Sequence, residues 1–172
     1  MKYLMLLLLI LFNAYASSLK TVNYVSPQKF SGLWYEIART YNFMQYKCVA
    51  SSVEYILTPK NEYKVYNRCF DTTIGAKLIE FSGTAEPLNE DNMSKINMTY
   101  FLFFSKEYGI YYLDDDYTSA LVANEDFENV WIISRKPFMQ KTTLEKIEQL
   151  LETQIDLESL IYTPQDKEGR YK

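Results

Sequence analysis

The chain contains no histidine. That removes the commonest general base, the commonest metal ligand and the usual haem ligand together. Any catalysis would fall to Asp, Glu, Tyr, Ser, Lys or Cys. The two cysteines are Cys48 and Cys69. In an exported chain an even count favours one disulfide over two separate buried thiols. The run Asp114-Asp115-Asp116 concentrates carboxylates, but no other ligand stands near it in sequence. It reads as a solvated turn, and neither a metal nor a cofactor is expected. Asn92-Met93-Ser94 and Asn97-Met98-Thr99 are N-x-[ST] triplets, acceptor patterns for N-glycosylation that also arise often by chance. Glu90, two residues before Asn92, gives the first an acidic flank like that used by some bacterial glycosylation systems.

The elements that position these residues are read from composition and periodicity. A chain of 172 residues is about one domain. Apolar residues make up 48%, enough for a sizeable core, and 16 Tyr and 10 Phe favour β structure. Residues 1–16 read as a signal peptide: Lys2, a short apolar run from Leu4 to Phe12, then Ala14-Tyr15-Ala16 as a small-x-small cleavage site. The run is too short for a membrane span, although an anchor is the competing reading. No cysteine stands at the cleavage point, which disfavours a lipid-anchored product. The mature domain is then 17–172, exported to the periplasm or cell envelope. The net charge is −4 before Lys2 is removed, so nucleic acid is not an expected partner.

Gly32-Leu33-Trp34-Tyr35-Glu36-Ile37-Ala38-Arg39 is the first strand-like run, and Gly32 with Trp34 suggests a plugged, closed end. Tyr41 to Tyr46 breaks the alternation and reads as a loop with exposed aromatics. Cys48 to Leu57 and Tyr63 to Phe70 form a hairpin around Thr58–Glu62. Its cysteines sit out of register unless a bulge or the strand twist brings them together. Further strands are expected over Lys77–Ala85, Ile96–Phe104, Tyr108–Leu113, Thr118–Ala123 and Val130–Arg135. A polar loop is expected over Pro87–Ser94 and a turn at Ser105-Lys106-Glu107. Eight strands in meander order fit an all-β, antiparallel up-and-down barrel. Thr142 with Glu145 reads as a capping box. Leu144, Ile147, Leu150 and Leu151 then give one helix an apolar stripe to pack outside the barrel. Leu160-Ile161-Tyr162 fits a short ninth strand, and Thr163 to Lys172 a polar tail.

Three segments together resemble the lipocalin family. Gly32-x-Trp34-Tyr35 matches its first motif. Asp114 and Tyr117 match its second, with Leu113 where the family carries Thr, and Arg135 matches its third. Phe30 to Arg39 looks most like the bacterial lipocalin and apolipoprotein D branch. The resemblance implies that Arg135 packs across Trp34 and donates to backbone carbonyls at the closed end. It also implies that Asp114 ties down a turn, so that all five motif residues are structural. It places the cup's lining on alternating faces: Ala38; Ser51, Val53 and Tyr55; Met98 and Tyr100; Tyr108, Ile110 and Tyr112; Trp131 and Ile133. Of these, Ala38, Ser51, Val53, Met98, Tyr100, Tyr108, Ile110 and Trp131 are the expected ligand contacts. A one-residue bulge would flip any of these sets.

The implied function is non-covalent binding and transport or storage of a small apolar molecule, a fatty acid or lysophospholipid, with Lys47 and Arg68 as candidates for its head group. Peripheral membrane contact and a monomer or weak dimer are expected. One alternative is an enzyme on the same barrel, since lipocalin relatives include an isomerase with a cysteine nucleophile and a carotenoid de-epoxidase. Here no histidine could activate such a nucleophile. Another alternative is a protein-interaction module using the Tyr41–Tyr46 loop.

Overall fold

A computed structural model describes residues 19–101 and 103–167; the expected signal peptide lies outside them. A short helix, α1 (Pro27–Phe30), leads into β1 (Gly32–Arg39). The meander continues through β2 (Cys48–Leu57), β3 (Tyr63–Asp71), β4 (Leu78–Asn89) and β5 (Asn92–Tyr100). It is completed by β6 (Phe104–Leu113), β7 (Ser119–Ala123) and β8 (Val130–Ser134). Each strand pairs antiparallel with the next, and β1 pairs with both β2 and β8, so eight strands close on themselves. Closure leaves no long free edge. A final β9 (Ile161–Tyr162) pairs with Ala38 and Arg39, where β2 has left β1.

Strand direction sorts the loops. Turns 58–62, 90–91 and 114–118 lie at the end where β1 begins, which is the base. Loops 40–47, 72–77 and 124–129 and the turn after Tyr100 lie at the other end, the mouth. Inside, Val25, Phe30, Trp34, Tyr55, Tyr63, Ile96 and Ile110 pack the base. Outside, α2 (Lys141–Leu151) lays Ile147 and Leu151 over Ala38, Leu121 and Ile132.

Several expectations are corrected. The loop over 87–94 is a hairpin instead, with Asp91 in the left-handed region at φ 57°. Pro87 is tolerated within β4 because it lies past Ala85, the last residue paired with β3, and beside a register shift against β5. The turn expected at Ser105–Glu107 falls between β5 and β6 instead, at Phe101 and Phe103, apolar residues that alternation counts as strand. Helix α2 starts before Thr142, with Gln140 at the N-cap and no side-chain cap bond, so no capping box forms. The polar tail is pinned down as far as Gln165. Thr163 N donates to Ile37 O (2.9 Å), Pro164 O accepts from Ala50 N (2.7 Å), and Gln165 Nε2 donates to Glu36 O (2.6 Å) and Ser51 O (2.7 Å). This strap seals the seam where β1 and β2 diverge.

Candidate functional site: a closed base and a cavity above it

Trp34 is wholly buried at the base. Its ring lies 4.9 Å from that of Phe30, and its Nε1 donates to Phe30 O at 2.9 Å. The guanidinium of Arg135 stacks 3.8 Å from the Trp34 ring centroid. Among the described residues no acid pairs with Arg135. Its nitrogens donate to five carbonyls, those of Leu33 (2.8 Å), Lys29 (2.8 Å), Phe30 (3.0 Å), Ser31 (2.8 Å) and Tyr117 (3.2 Å). Burial pulls its pKa down to about 10, which leaves it charged at any ordinary pH. Gly32 is needed beside it: φ is +100°, and a Cβ would sit 3.2 Å from Arg135 Nη1. Tyr117 is itself at φ 56°, and its hydroxyl accepts from Ser26 N at 3.0 Å. The Asp114 carboxylate accepts from Thr118 N and Oγ1, both at 2.6 Å, and so fastens the β6–β7 turn. Among the described residues no group of three or more Asp, Glu or Cys is placed to hold a metal ion.

Above this floor is a cavity of about 130 Å³. Val53, Met98, Tyr100, Tyr108 and Trp131 line it, together with Tyr55 and Ile133. Three expected contacts do not. Ala38 is on the outer face under α2, because β1 carries an extra residue between Glu36 and Ala38 relative to β8. Ser51 lies in a second bulge, where Val49 pairs with Phe70 but Ser52 with Arg68. Ala50 there has φ 48°. Ile110 is packed into the base cluster with Trp34. A third shift, between Ile110 and Tyr112, turns Tyr112 to the outer cluster.

The bulge in β2 also brings the cysteines together: Cys48 and Cys69 form a disulfide with Cα atoms 5.3 Å apart. Neither candidate head-group cation lines the cavity. Arg68 is outside, donating to Glu54 and Glu80 at 2.7 Å each. Lys47 is at the rim, with Nζ 5.3 Å from the Tyr46 ring centroid. The Asn92 amide is also occupied: Nδ2 donates to Asn23 O at 2.9 Å, and Oδ1 accepts from Val25 N and Ser94 N.

Sequence reasoning missed the most polar part of the wall. Glu36 lines the cavity although it is only 3% exposed. Its carboxylate accepts from Gln45 Nε2 (2.8 Å) and from Thr163 Oγ1, with Arg39 Nη1 at 3.6 Å. Gln45 knits this wall to the mouth: its Oε1 accepts from Trp131 Nε1 at 3.0 Å and its carbonyl from Arg39 Nη2 at 2.7 Å. The signal was present, since Glu36 follows Trp34 by two and therefore shares its face. Burial pushes the Glu36 carboxyl above its ordinary value, opposed by Arg39, Thr163 and Gln45. The folded state then holds this proton more tightly than the unfolded chain. Stability from this group is lost as pH rises from about 4.5 through the raised value. Urea midpoints of the wild type and Glu36→Gln are expected to diverge over that window, the wild type losing ground as pH rises. A difference independent of pH would contradict the shift.

The comparisons with known proteins agree with this architecture. The chain is 28% identical over 150 residues to the outer membrane lipoprotein Blc of Vibrio cholerae, covering 86% of this chain and 87% of that one. It is 25% identical over 154 residues to temperature-induced lipocalin-1 of Arabidopsis thaliana, covering 86% and 83%. Among solved structures, insecticyanin from the tobacco hornworm Manduca sexta matches with a TM-score of 0.69 at 20% identity, over 90% of this chain and 88% of that one. The model of the lipocalin-like domain matches residues 25–165, and the chain belongs to that family.

Proposed function

We propose that the barrel carries or stores a single-chain lipid of the fatty acid or lysophospholipid class, exported to the periplasm or cell envelope, and binds it without covalent chemistry. The observation that carries this reading is the cavity: aromatic and aliphatic walls above a floor closed by Trp34 and Arg135. Family membership supports a small hydrophobic ligand. The modest volume favours one slender chain, and Met44 and Met98 give the walls some adaptability. Each methylene buried is worth about 0.8 kcal/mol. The disulfide is in keeping with export and commits both cysteines, so a thiol nucleophile of the isomerase kind is disfavoured.

Trp131→Ala tests the cavity directly. Trp131 meets Tyr108 edge-on at 5.5 Å and is only partly buried. Its loss is expected to weaken lipid binding about tenfold or more while costing less stability than loss of a base residue. Unchanged affinity in a lipid titration would remove Trp131 from the ligand site.

The mouth supports peripheral contact with a lipid surface. Tyr41, Phe43 and Tyr46 on one loop are exposed, as are Phe101, Phe103 and Phe104 around the β5–β6 turn; Phe43 is 77% and Phe103 75% exposed. Such a patch marks an interaction site. The double variant Phe43→Ser, Phe103→Ser is expected to lose co-sedimentation with phospholipid vesicles that the wild type shows. Equal sedimentation of both, or of neither, would oppose membrane contact.

A further inference from the structure

We propose that the cavity selects, among single-chain lipids, those presenting a neutral carbonyl, an acyl ester or amide, over free carboxylates. This rests on the carrier reading above and names the head-group chemistry of the same site. Three phenols project into the cavity from different strands: Tyr55 from β2, Tyr100 from β5 and Tyr108 from β6. Among the described residues the hydroxyls of Tyr55 and Tyr108 have no hydrogen-bond partner. Tyr100 accepts from Asn67 Nδ2 at 2.7 Å, which leaves its own proton to give. Burial raises the pKa of all three, helped by Tyr100 and Tyr108 at Tyr55, by Tyr108 at Tyr100 and by Asp126 at Tyr108, so they remain protonated donors.

Their placement is built into the sheet. Tyr55 pairs with Val65, Val65 with Gly83, and Gly83 with Tyr100. A Cβ on Gly83 would lie 2.7 and 2.9 Å from ring carbons of Tyr100. The absent side chain lets that ring lie over β4, within reach of Asn67.

Three donors with nothing to receive them call for an acceptor. The acceptor need not be charged, because among the described residues the one cation beside the wall, Arg39, is already set against Glu36. Among the described residues no lysine or arginine lines the cavity, and the one carboxyl that does is Glu36, of the same sign as a fatty-acid anion. Arg39, behind the wall, faces Glu36 at 3.6 Å and donates to Gln45 O at 2.7 Å, Arg68 and Arg135 are held elsewhere by carboxylates and carbonyls, and Lys106 reaches Glu128 at 3.4 Å. A carboxylate would shed its water without an ion to pair with. An ester carbonyl accepts the same phenols at no such cost. A lysophospholipid offers that carbonyl while its phosphate stays towards the mouth.

The test compares 1-lauroylglycerol with laurate, each below its micelle-forming concentration, by titration of the delipidated full chain at pH 8 and pH 5. The ester is expected to bind about tenfold or more tightly than laurate at pH 8. The gap should narrow at pH 5, where laurate takes up its proton. Tyr100→Phe keeps the ring and should weaken ester binding about three- to tenfold, with its melting temperature little changed. Laurate binding as tightly as the ester at pH 8, or Tyr100→Phe leaving ester affinity intact, overturns the selection and leaves the carrier reading standing. Binding of neither lipid overturns both.

Discussion

Replacing Trp34 by alanine is expected to lower stability by about 3–5 kcal/mol, at the upper end of that range. The indole is wholly buried, and three contacts go with it: the Phe30 ring at 4.9 Å, the bond from Nε1 to Phe30 O, and the face under Arg135. The cavity left behind opens beneath a guanidinium that has no other ring among the described residues to lie on. Urea unfolding at unchanged m-value would show the loss as a lower midpoint. A midpoint near that of the wild type would mean that Trp34 is not the floor of the barrel.

Arg135→Lys is expected to cost about 3 kcal/mol although the charge is kept. A planar fork holds five carbonyls drawn from α1, its C-cap Ser31, β1 and the β6–β7 turn. An ammonium has three donors and no flat face, so it keeps part of that set and loses the stack, itself about 0.5–2 kcal/mol. Hydrogen bonds from a charged donor are worth about 1.5–3 kcal/mol each, and water reaching the half-buried side chain at 135 recovers some of the loss. The two sites are in contact, so the double variant should fall short of the sum of the single ones. Thermal unfolding of the three variants reads this out; a melting temperature for Arg135→Lys within a degree or two of the wild type would deny the clamp its role.

The elements that were legible in the sequence are those set locally. Alternation in Tyr63–Phe70 and Val130–Arg135 places strands, the spacing of Leu144, Ile147 and Leu151 places the helix, and Gly32, Trp34 and Arg135 carry the motif resemblance. What was missed depends on partners far along the chain. The bulge between Glu36 and Ala38 exists only relative to β8, so nothing in Ile37-Ala38-Arg39 announces that Ala38 faces the helix. Ala50 in the left-handed region is likewise a consequence of the strap at Pro164 and of β3. The β5–β6 turn was hidden because exposed Phe101 and Phe103 read as strand. Glu36 shows the opposite failure: its spacing from Trp34 was readable, but a carboxylate on an inward face runs against the expectation of an apolar cup, and Gln45 and Thr163 are what make it tolerable.

The central claim is that this barrel holds one lipid molecule in the cavity between Trp131, Tyr108 and the floor. Native mass spectrometry of the chain purified without detergent tests it most directly. The predicted result is a single adduct with the mass of one single-chain lipid, released on activation and absent after delipidation. A population that is empty, and that stays empty after incubation with single-chain lipids while its tryptophan fluorescence does not change, would contradict the account.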